Sequence, residues 1–147
     1  MRFTKKGFDK LRIDYEDLIR KRPAAVADLK KARDMGDLSE NGYYKSARGK
    51  LSSIDRDLRK LLTFLKEAKI IEHTNSKIAY IESVVTLCNG KNEVKYEIVG
   101  DMEADPSNNK ISLLSPVGKA IAGKKAGDKV IIEIPTGKIN YTIKNIS

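Results

Sequence analysis

Two acidic residues in the first half of the chain, Asp37 and Glu40, have a type and spacing that could do chemistry. Carboxylates three residues apart at the start of a helix form a capping box when the first is the N-cap and the second the N3 residue. Negative charge at that position is also favoured by the helix dipole. From the residues alone, capping is the commoner explanation for this pair, and catalysis is the alternative.

Two apolar seams flank the acidic pair, and their steps alternate between three and four residues, as in a coiled coil. The first seam contains Phe8, Leu11, Tyr15, Leu18, Arg22, Ala25, Leu29 and Ala32. The second contains Tyr44, Ala47, Leu51, Ile54, Leu58, Leu61, Leu65 and Ala68. Two matched seams joined by a few residues predict an antiparallel helical hairpin with Asp37 and Glu40 at its tip.

Local signals refine the first helix. Thr4 is a suitable N-cap, because threonine oxygens accept hydrogen bonds from free helical N–H groups. Pro23 interrupts the helix because proline lacks the backbone N–H and crowds the preceding turn. We therefore expect either a kink at Pro23 or a second helical segment with Pro23 at its first position.

The pattern changes beyond residue 76, where β-branched and aromatic residues predict strands. The predicted strands cover residues 78–87, 93–99, 111–114, 130–134 and 139–143. Ser115 and Pro116 open a predicted short helix that Gly123 ends. The expected fold class is α+β, with a coiled-coil hairpin in residues 1–74 and an antiparallel β-sheet domain with a short helix in residues 75–147.

The formal net charge is +9, from 29 basic and 20 acidic residues. Residues 1–72 hold 19 basic and 12 acidic residues, a net of +7, and the remainder holds 10 and 8, a net of +2. This excess indicates a polyanionic partner such as nucleic acid, or a solvated lysine-rich helical surface. No apolar run reaches the length of about 20 residues that spans a bilayer, and no signal peptide is visible. We therefore expect a cytoplasmic protein.

Motifs in both halves carry a family resemblance. The tip region reads Ala32-Arg33, then Gly-Asp-Leu-Ser-Glu-Asn from Gly36 to Asn41, then Tyr44-Lys45-Ser46-Ala47-Arg48. This sequence resembles the tip signature of the Gre family of bacterial transcript-cleavage factors, GreA and GreB. Residues 96–105 and 111–124 resemble the second strand, the loop and the short helix of the family's second half. The resemblance covers nearly the whole chain and is closer to GreA.

The resemblance implies a transcription elongation factor whose hairpin enters the secondary channel of bacterial RNA polymerase and stimulates cleavage of backtracked nascent RNA. Asp37 matches the position expected to touch the second Mg²⁺ of the polymerase site, and Glu40 the position that assists directly or through water. Mg²⁺ would thus be bound jointly with the polymerase, and no stable metal site is expected in the isolated protein. The chain would be an accessory factor rather than an enzyme.

The resemblance also implies roles for other residues. Arg33 and Arg48 match positions linked to the nascent RNA 3′ segment, and Leu38, Asn41 and Tyr44 match positions that support the tip. The second half resembles an FKBP-like domain that docks on the rim of the secondary channel, and Ser115 and Pro116 match its docking loop. The expected partners are therefore the polymerase and nascent RNA, with no membrane, and the protein is expected to act as a monomer.

Three other functions remain open at this stage. An inhibitory relative would occupy the same channel without supporting cleavage, although retention of Asp37 and Glu40 argues against it. A prolyl isomerase is suggested only by the FKBP-like fold, and fold alone does not establish function. A free-standing hairpin that binds nucleic acid is supported by charge alone.

Overall fold

The computed structural model describes residues 1–36, 41–72 and 77–147. Asp37, Leu38, Glu40 and His73 lie outside the described residues. The chain divides into two compact units, one formed by Asp9–Glu67 and the other by Met1–Phe8 together with Ala68–Ser147. The elements in chain order are β1 (Arg2–Phe3), α1 (Lys5–Arg33), α2 (Gly42–Glu67), β2 (Lys69–Ile70), β3 (Val84–Asn89), β4 (Asn92–Val99), β5 (Lys110–Ser112), α3 (Pro116–Ile121), β6 (Lys129–Ile134) and β7 (Gly137–Ile146).

The two long helices form the predicted hairpin. Every seam residue is buried or half-buried except Arg22, and Ala25, Ala32 and Ile54 are the buried ones. Contacts join the end of α1 to the start of α2 and the middle of α1 to the middle of α2, which shows that the helices run antiparallel. The antiparallel hairpin is therefore confirmed, and all of its seam residues except Arg22 are at least half-buried.

Pro23 lies inside α1, which continues through it as one helix of 29 residues. The predicted restart at Pro23 is therefore wrong. Proline removes one backbone hydrogen bond, and the neighbouring seam residue Arg22 is exposed, but Leu18 is half-buried and Ala25 is buried. Most helix stability in proteins comes from packing of the apolar face, and here that packing outweighs the lost bond.

The other unit is built on a five-stranded sheet in the order β5-β4-β3-β7-β6. Three neighbouring pairs are antiparallel, whereas β5 runs parallel to β4, with Ile98 opposite Ile111. The α+β class is confirmed, but the sheet is mixed rather than purely antiparallel. The loop between β4 and β5 turns twice, which lets the short β5 return in the same direction. The buried core of the sheet unit includes Ala79, Ile81, Val85, Leu87, Ile98, Ile111, Leu113, Ile121, Val130, Ile132 and Ile143.

The predicted strand over residues 78–87 begins later than expected, at Val84. A turn precedes it, in which the Ser83 N–H donates to the Tyr80 carbonyl at 2.9 Å. The Ser83 side chain, fully buried, accepts a hydrogen bond of 3.2 Å from the Tyr80 N–H. These two bonds hold a turn that the run of β-branched and aromatic residues does not reveal.

The first residues of the chain belong to the β-sheet unit rather than to the hairpin unit. β1 pairs in parallel with β2, placing Arg2 opposite Lys69 and Phe3 opposite Ile70. Phe3 is only 2% exposed, so this short pair is anchored by a large buried side chain. No helix within the described ranges is long and apolar enough to cross a membrane.

Candidate functional site at the hairpin tip

The tip is defined by the residues that lead into and out of positions 37–40. α1 ends at Arg33, and the Asp34 and Met35 N–H groups continue the helical hydrogen bonds to the Lys30 and Ala32 carbonyls, at 3.2 and 3.3 Å. Gly36 then has a φ of +118°, in the left-handed region that L side chains rarely adopt. Glycine at this position therefore allows the chain to leave α1 directly before the acidic segment.

Asn41 begins the second helix. Its Oδ1 accepts a hydrogen bond of 3.2 Å from the Tyr44 N–H, and its backbone carbonyl accepts one of 3.1 Å from the Lys45 N–H. These are the bonds of an N-cap, with Gly42 at the first helical position. The Asn41 Nδ2 also donates to the Ala32 carbonyl at 3.1 Å. One side chain thus caps α2 and ties it to the last turn of α1.

The start of α2 bears on the structural explanation for the acidic pair. α2 begins at Gly42 and takes its cap from Asn41, whereas the capping predicted for Asp37 and Glu40 falls on residues outside the described ones. The segment offers several capping types within five positions, Asp37, Ser39 and Asn41, and propensity alone does not choose between them. Asn41, which caps α2, also donates to the Ala32 carbonyl.

Tyr44 stands at the N3 position of α2 and is half-buried, consistent with its place in the seam. The tip-support roles of Asn41 and Tyr44 stay predictions, and Leu38 lies outside the described residues. In the structure the Tyr44 N–H donates a hydrogen bond to the Asn41 side chain.

Basic residues surround the tip on both helices. In residues 23–36 and 41–54, six basic side chains are exposed and two residues are acidic, Asp28 and Asp34. The six are Lys30, Lys31, Arg33, Lys45, Arg48 and Lys50. The ion pairs between described residues of the hairpin lie elsewhere, at residues 9–22 and 55–57. With six basic and two acidic residues, these ranges carry a net charge of +4, and no ion pair between described residues lies within them.

Arg22, which interrupts the apolar seam, pairs across the hairpin with Asp55. Its Nε donates to Oδ1 at 2.6 Å and its Nη2 to Oδ2 at 3.3 Å, a two-point contact. The hydrogen bond from Arg22 is the main reason that the pKa of Asp55 lies below its ordinary value. The polar interruption of the seam is therefore matched by a partner on the facing helix.

The predicted docking residues lie at the start of α3. Ser115 is the N-cap, with its Oγ accepting from the Gly118 N–H at 3.0 Å and donating to the Ser112 carbonyl at 2.8 Å. Pro116 is the first helical residue and is exposed. The predicted cap is confirmed, whereas the docking role stays a prediction.

One contact at the start of α1, made by the Glu103 carboxylate, was not predicted from the sequence. Glu103 accepts hydrogen bonds from both the backbone and the side chain of Thr4, which starts α1. The two residues are 99 positions apart, so no local pattern could have paired them. The sequence holds one hint that the acid comes from elsewhere. Gly7 occupies the N3 position, where a capping box would have an acid.

Comparison with known proteins gives a consistent result over both halves. Residues 1–70 match the family model "Transcription elongation factor, N-terminal", and residues 74–147 match "Transcription elongation factor, GreA/GreB, C-term". Transcription elongation factor GreA of Macrococcus caseolyticus is 42% identical over 138 residues, covering 91% of this chain and 87% of that protein. The GreA protein of Thermoanaerobacter pseudethanolicus is 41% identical over 148 residues, covering 97% and 94%.

Among solved structures, the GreA factor homolog 1 (Gfh1) protein of Thermus thermophilus is 24% identical with a TM-score of 0.48. That similarity covers 100% of this chain and 98% of the other, and at this level it bears on neither function nor mechanism. The two family models and the GreA relatives, by contrast, span the hairpin and the sheet unit alike. The chain belongs to the GreA/GreB family of transcription elongation factors.

Proposed function

We propose that this elongation factor inserts its hairpin tip into the secondary channel of bacterial RNA polymerase and stimulates endonucleolytic cleavage of backtracked nascent RNA. It would thereby rescue arrested complexes in the cytoplasm. Family membership supports the polymerase as partner. The acidic pair Asp37 and Glu40, between the end of α1 and the start of α2, supports the cleavage role.

The observation that carries the proposal is the cap of α2 by Asn41. A capping box was the strongest structural reason for an aspartate and a glutamate three residues apart in this segment. Since Asn41 already satisfies the Tyr44 N–H, the start of α2 does not require Asp37 as its cap. A role for the two carboxylates outside helix capping is therefore the better explanation of their presence.

The donor set suits Mg²⁺, which prefers hard oxygen ligands and commonly takes one or two carboxylates from a protein. Within residues 1–36, 41–72 and 77–147, no three His, Cys, Asp or Glu side chains lie together where they could hold a metal ion. Asp37 would hold the ion and Glu40 would accept a hydrogen bond from the attacking water. When bound, Mg²⁺ supplies charge stabilisation for the attacking and leaving oxygens.

Two carboxylates are too few for a complete Mg²⁺ site, so the remaining ligands must come from the polymerase. The chain acts in this proposal as an accessory factor and has no catalytic activity of its own. Arg33 and Arg48 would hold RNA phosphates by charge-assisted hydrogen bonds, without reading sequence. Both are exposed and neither forms an ion pair with a described residue, which leaves their guanidinium groups available.

The sheet unit would contribute binding rather than chemistry. The exposed Pro116 and the half-buried Ser115 begin α3, and we propose that this segment docks on the rim of the secondary channel. The cap formed by Ser115 fixes the backbone of the segment through three partners, the Gly118 N–H, the Ser112 carbonyl and the Lys119 N–H. A rigid segment reduces the entropy lost on binding.

The direct test adds the purified protein to stalled, backtracked elongation complexes of a bacterial RNA polymerase. We expect new, shorter RNA with a free 3′ end, and no cleavage when the protein is mixed with free RNA and Mg²⁺ alone. Cleavage of free RNA that survives rigorous purification would contradict the accessory role. Binding to the complexes that blocks cleavage would instead identify an inhibitory relative.

A further inference from the structure

The first turn of α1 is capped by Thr4, as its sequence predicts. The Thr4 Oγ1 accepts a hydrogen bond of 2.9 Å from the Gly7 N–H, and the Thr4 carbonyl accepts one of 3.0 Å from the Phe8 N–H. In a capping box the residue at N3 is Glu or Gln, and its side chain accepts a hydrogen bond from the N-cap N–H. The N3 residue here is Gly7, which has no side chain to do this.

Glu103, in the segment that follows β4, takes the place of the missing side chain. Its Oε2 accepts a hydrogen bond of 2.8 Å from the Thr4 N–H, and its Oε1 accepts one of 2.6 Å from the Thr4 hydroxyl. The same Oε2 accepts the Gly100 N–H at 3.1 Å. The contacts of a capping box are therefore present, but the acid comes from a distant part of the sequence.

Two glycines make room for this carboxylate. A Cβ added at Gly7 would lie 2.1 Å from the Glu103 Cδ, and one added at Gly100 would lie 2.0 Å from Oε2 and 2.7 Å from the Arg2 carbonyl. Distances below 3.0 Å do not occur for real Cβ atoms, so any side chain at Gly7 would displace the carboxylate or be displaced by it. Gly7 and Glu103 thus occupy complementary volumes.

A second contact holds the same two segments together. The Asp101 carboxylate accepts hydrogen bonds from the Arg2 backbone N–H at 2.8 Å and from Arg2 Nη2 at 2.9 Å, and the Asp101 N–H donates to the Arg2 carbonyl at 2.8 Å. Burial is the largest single influence on the pKa of Asp101 and raises it. The hydrogen bonds from Arg2, together with the positive charges of Arg2 and the chain N-terminus, outweigh burial, so the pKa lies below its ordinary value.

We propose that Glu103 is the capping-box acid of α1, supplied by the sheet unit, and that it makes the first turn of α1 conditional on the folding of residues 100–103. α1 starts within the unit that contains Met1–Phe8 and continues into the unit Asp9–Glu67. The start of the hairpin is therefore set by the sheet unit rather than by the helix sequence alone.

The test is a four-protein cycle of wild type, Glu103→Ala, Gly7→Glu and the double variant, followed by backbone amide hydrogen exchange. In Glu103→Ala the protection of the Thr4 and Gly7 amides should fall about tenfold, the effect of losing charge-assisted hydrogen bonds. Gly7→Glu alone should also reduce protection, because the new side chain and Glu103 compete for one volume. The double variant rebuilds the capping box within α1 and should return protection close to the wild-type value.

Two controls separate a specific effect from general loss of stability. Glu103→Gln keeps an acceptor for the Thr4 N–H and should fall between wild type and Glu103→Ala. Met102→Ala, at an adjacent residue that is 51% exposed, should leave the Thr4 and Gly7 amides unchanged. Protection of the Val85 amide, in the central strand, reports whether the sheet remains folded.

The decisive outcome is the change of sign of the Gly7→Glu effect. The proposal is supported if Gly7→Glu lowers amide protection in the wild-type background and raises it in the Glu103→Ala background. An equal loss of amide protection from Gly7→Glu in both backgrounds, or unchanged protection in Glu103→Ala, would overturn the proposal. If Glu103→Ala does not fold, folding restored by Gly7→Glu supports the proposal, and failure of that rescue contradicts it.

Discussion

The Asn41 side chain donates a hydrogen bond of 3.1 Å to the carbonyl of Ala32, nine residues earlier and on the other helix of the hairpin. The same side chain accepts the Tyr44 N–H and caps α2. Ala32 is fully buried, so the bond lies against the packed seam rather than in open solvent. Asn41 therefore joins the last turn of α1 to the first turn of α2 directly beside the acidic segment.

Two substitutions at Asn41 separate capping from the tie to α1. Asn41→Ser keeps an N-cap oxygen but cannot reach Ala32, and should cost about 1 kcal/mol of stability. Asn41→Ala loses both contacts and should cost about 2–3 kcal/mol. Urea unfolding measures the two values. Equal losses in the two variants would show that the cap contributes nothing, and an Asn41→Ser variant as stable as wild type would show that the bond to Ala32 contributes nothing.

The pair Arg22–Asp55 predicts a specific dependence of stability on pH. The pKa of Asp55 is lowered mainly by the hydrogen bond from Arg22, so the folded state favours the ionised form. This contribution is complete above the unfolded-state pKa, about 3.9, and is lost as pH falls through the lower folded-state pKa. The free-energy difference between wild type and Asp55→Asn should therefore be constant near neutral pH and shrink below about pH 4.

The measurement is urea unfolding of wild type and Asp55→Asn at a series of pH values. Asp9→Asn is a suitable control, because its partner Arg12 lies on the same helix at 3.6 Å and no link between helices is lost. A difference that grows as the solution is acidified would contradict the assignment.

Glycine-to-alanine substitutions in two helices should have opposite effects. A Cβ at Gly118, in α3, would lie 2.0 Å from the Ser112 carbonyl oxygen and 2.8 Å from the Leu113 Cα, both backbone atoms. Gly118→Ala should therefore destabilise the protein by about 2–3 kcal/mol through overpacking. At Gly49, in α2, nothing lies within 4 Å of the added Cβ, and Gly49→Ala should stabilise by about 0.5–1 kcal/mol. Thermal unfolding shows both signs, and a neutral Gly118→Ala would contradict the close approach.

Removing a basic side chain near the tip should affect cleavage stimulation more than removing one elsewhere on the hairpin. Arg33→Ala and Arg48→Ala should each raise the concentration needed for half-maximal cleavage stimulation by on the order of tenfold, because a charge-assisted phosphate contact is lost. Arg12→Ala and Arg20→Ala are matched controls, since these exposed arginines already pair with Asp9 and Asp17. Removing either arginine should also make RNA binding less sensitive to salt concentration. Equal effects in all four variants would remove the RNA role.

The hairpin was predictable because seam periodicity is a local property of the sequence. The positions of each eight-residue seam alternate by three and four, and among these seam residues only Arg22 is exposed. Of the two outcomes expected at Pro23, a kink or a restart, the restart is wrong, because the effect of proline depends on packing by the facing helix, which one helix's sequence does not contain. The cap of α2 is Asn41, whose side chain also bonds to Ala32 on the other helix, and helix propensity alone does not favour Asn41 over Asp37 or Ser39.

The sheet unit shows the same division between local and distant information. The helix cap at Ser115 and the strand β6 follow from short motifs. The parallel pairing of β4 with β5 and the contact of Glu103 with Thr4 join residues far apart in sequence, and no local pattern specifies them. The roles of Asp37, Glu40, Arg33 and Arg48 rest on family resemblance and stay predictions.

The central claim is that Asp37 and Glu40 act in RNA cleavage rather than in folding. Asp37→Asn and Glu40→Gln remove the charge while keeping the size of each side chain, and neutral amides are much poorer Mg²⁺ ligands. Because Asn41 caps α2, both variants should unfold within about 1 kcal/mol of wild type, the most that the helix dipole would contribute. Polymerase binding should also persist, so the variants should compete with the wild type.

The most direct measurement is the rate of RNA cleavage in backtracked elongation complexes, made with wild type, Asp37→Asn, Glu40→Gln and the double variant from preparations whose unfolding and polymerase binding are also recorded. We predict that Asp37→Asn abolishes most of the stimulation, that Glu40→Gln does so less completely, and that the double variant inhibits the wild type. Normal unfolding and binding with full stimulation by the amide variants would contradict the account.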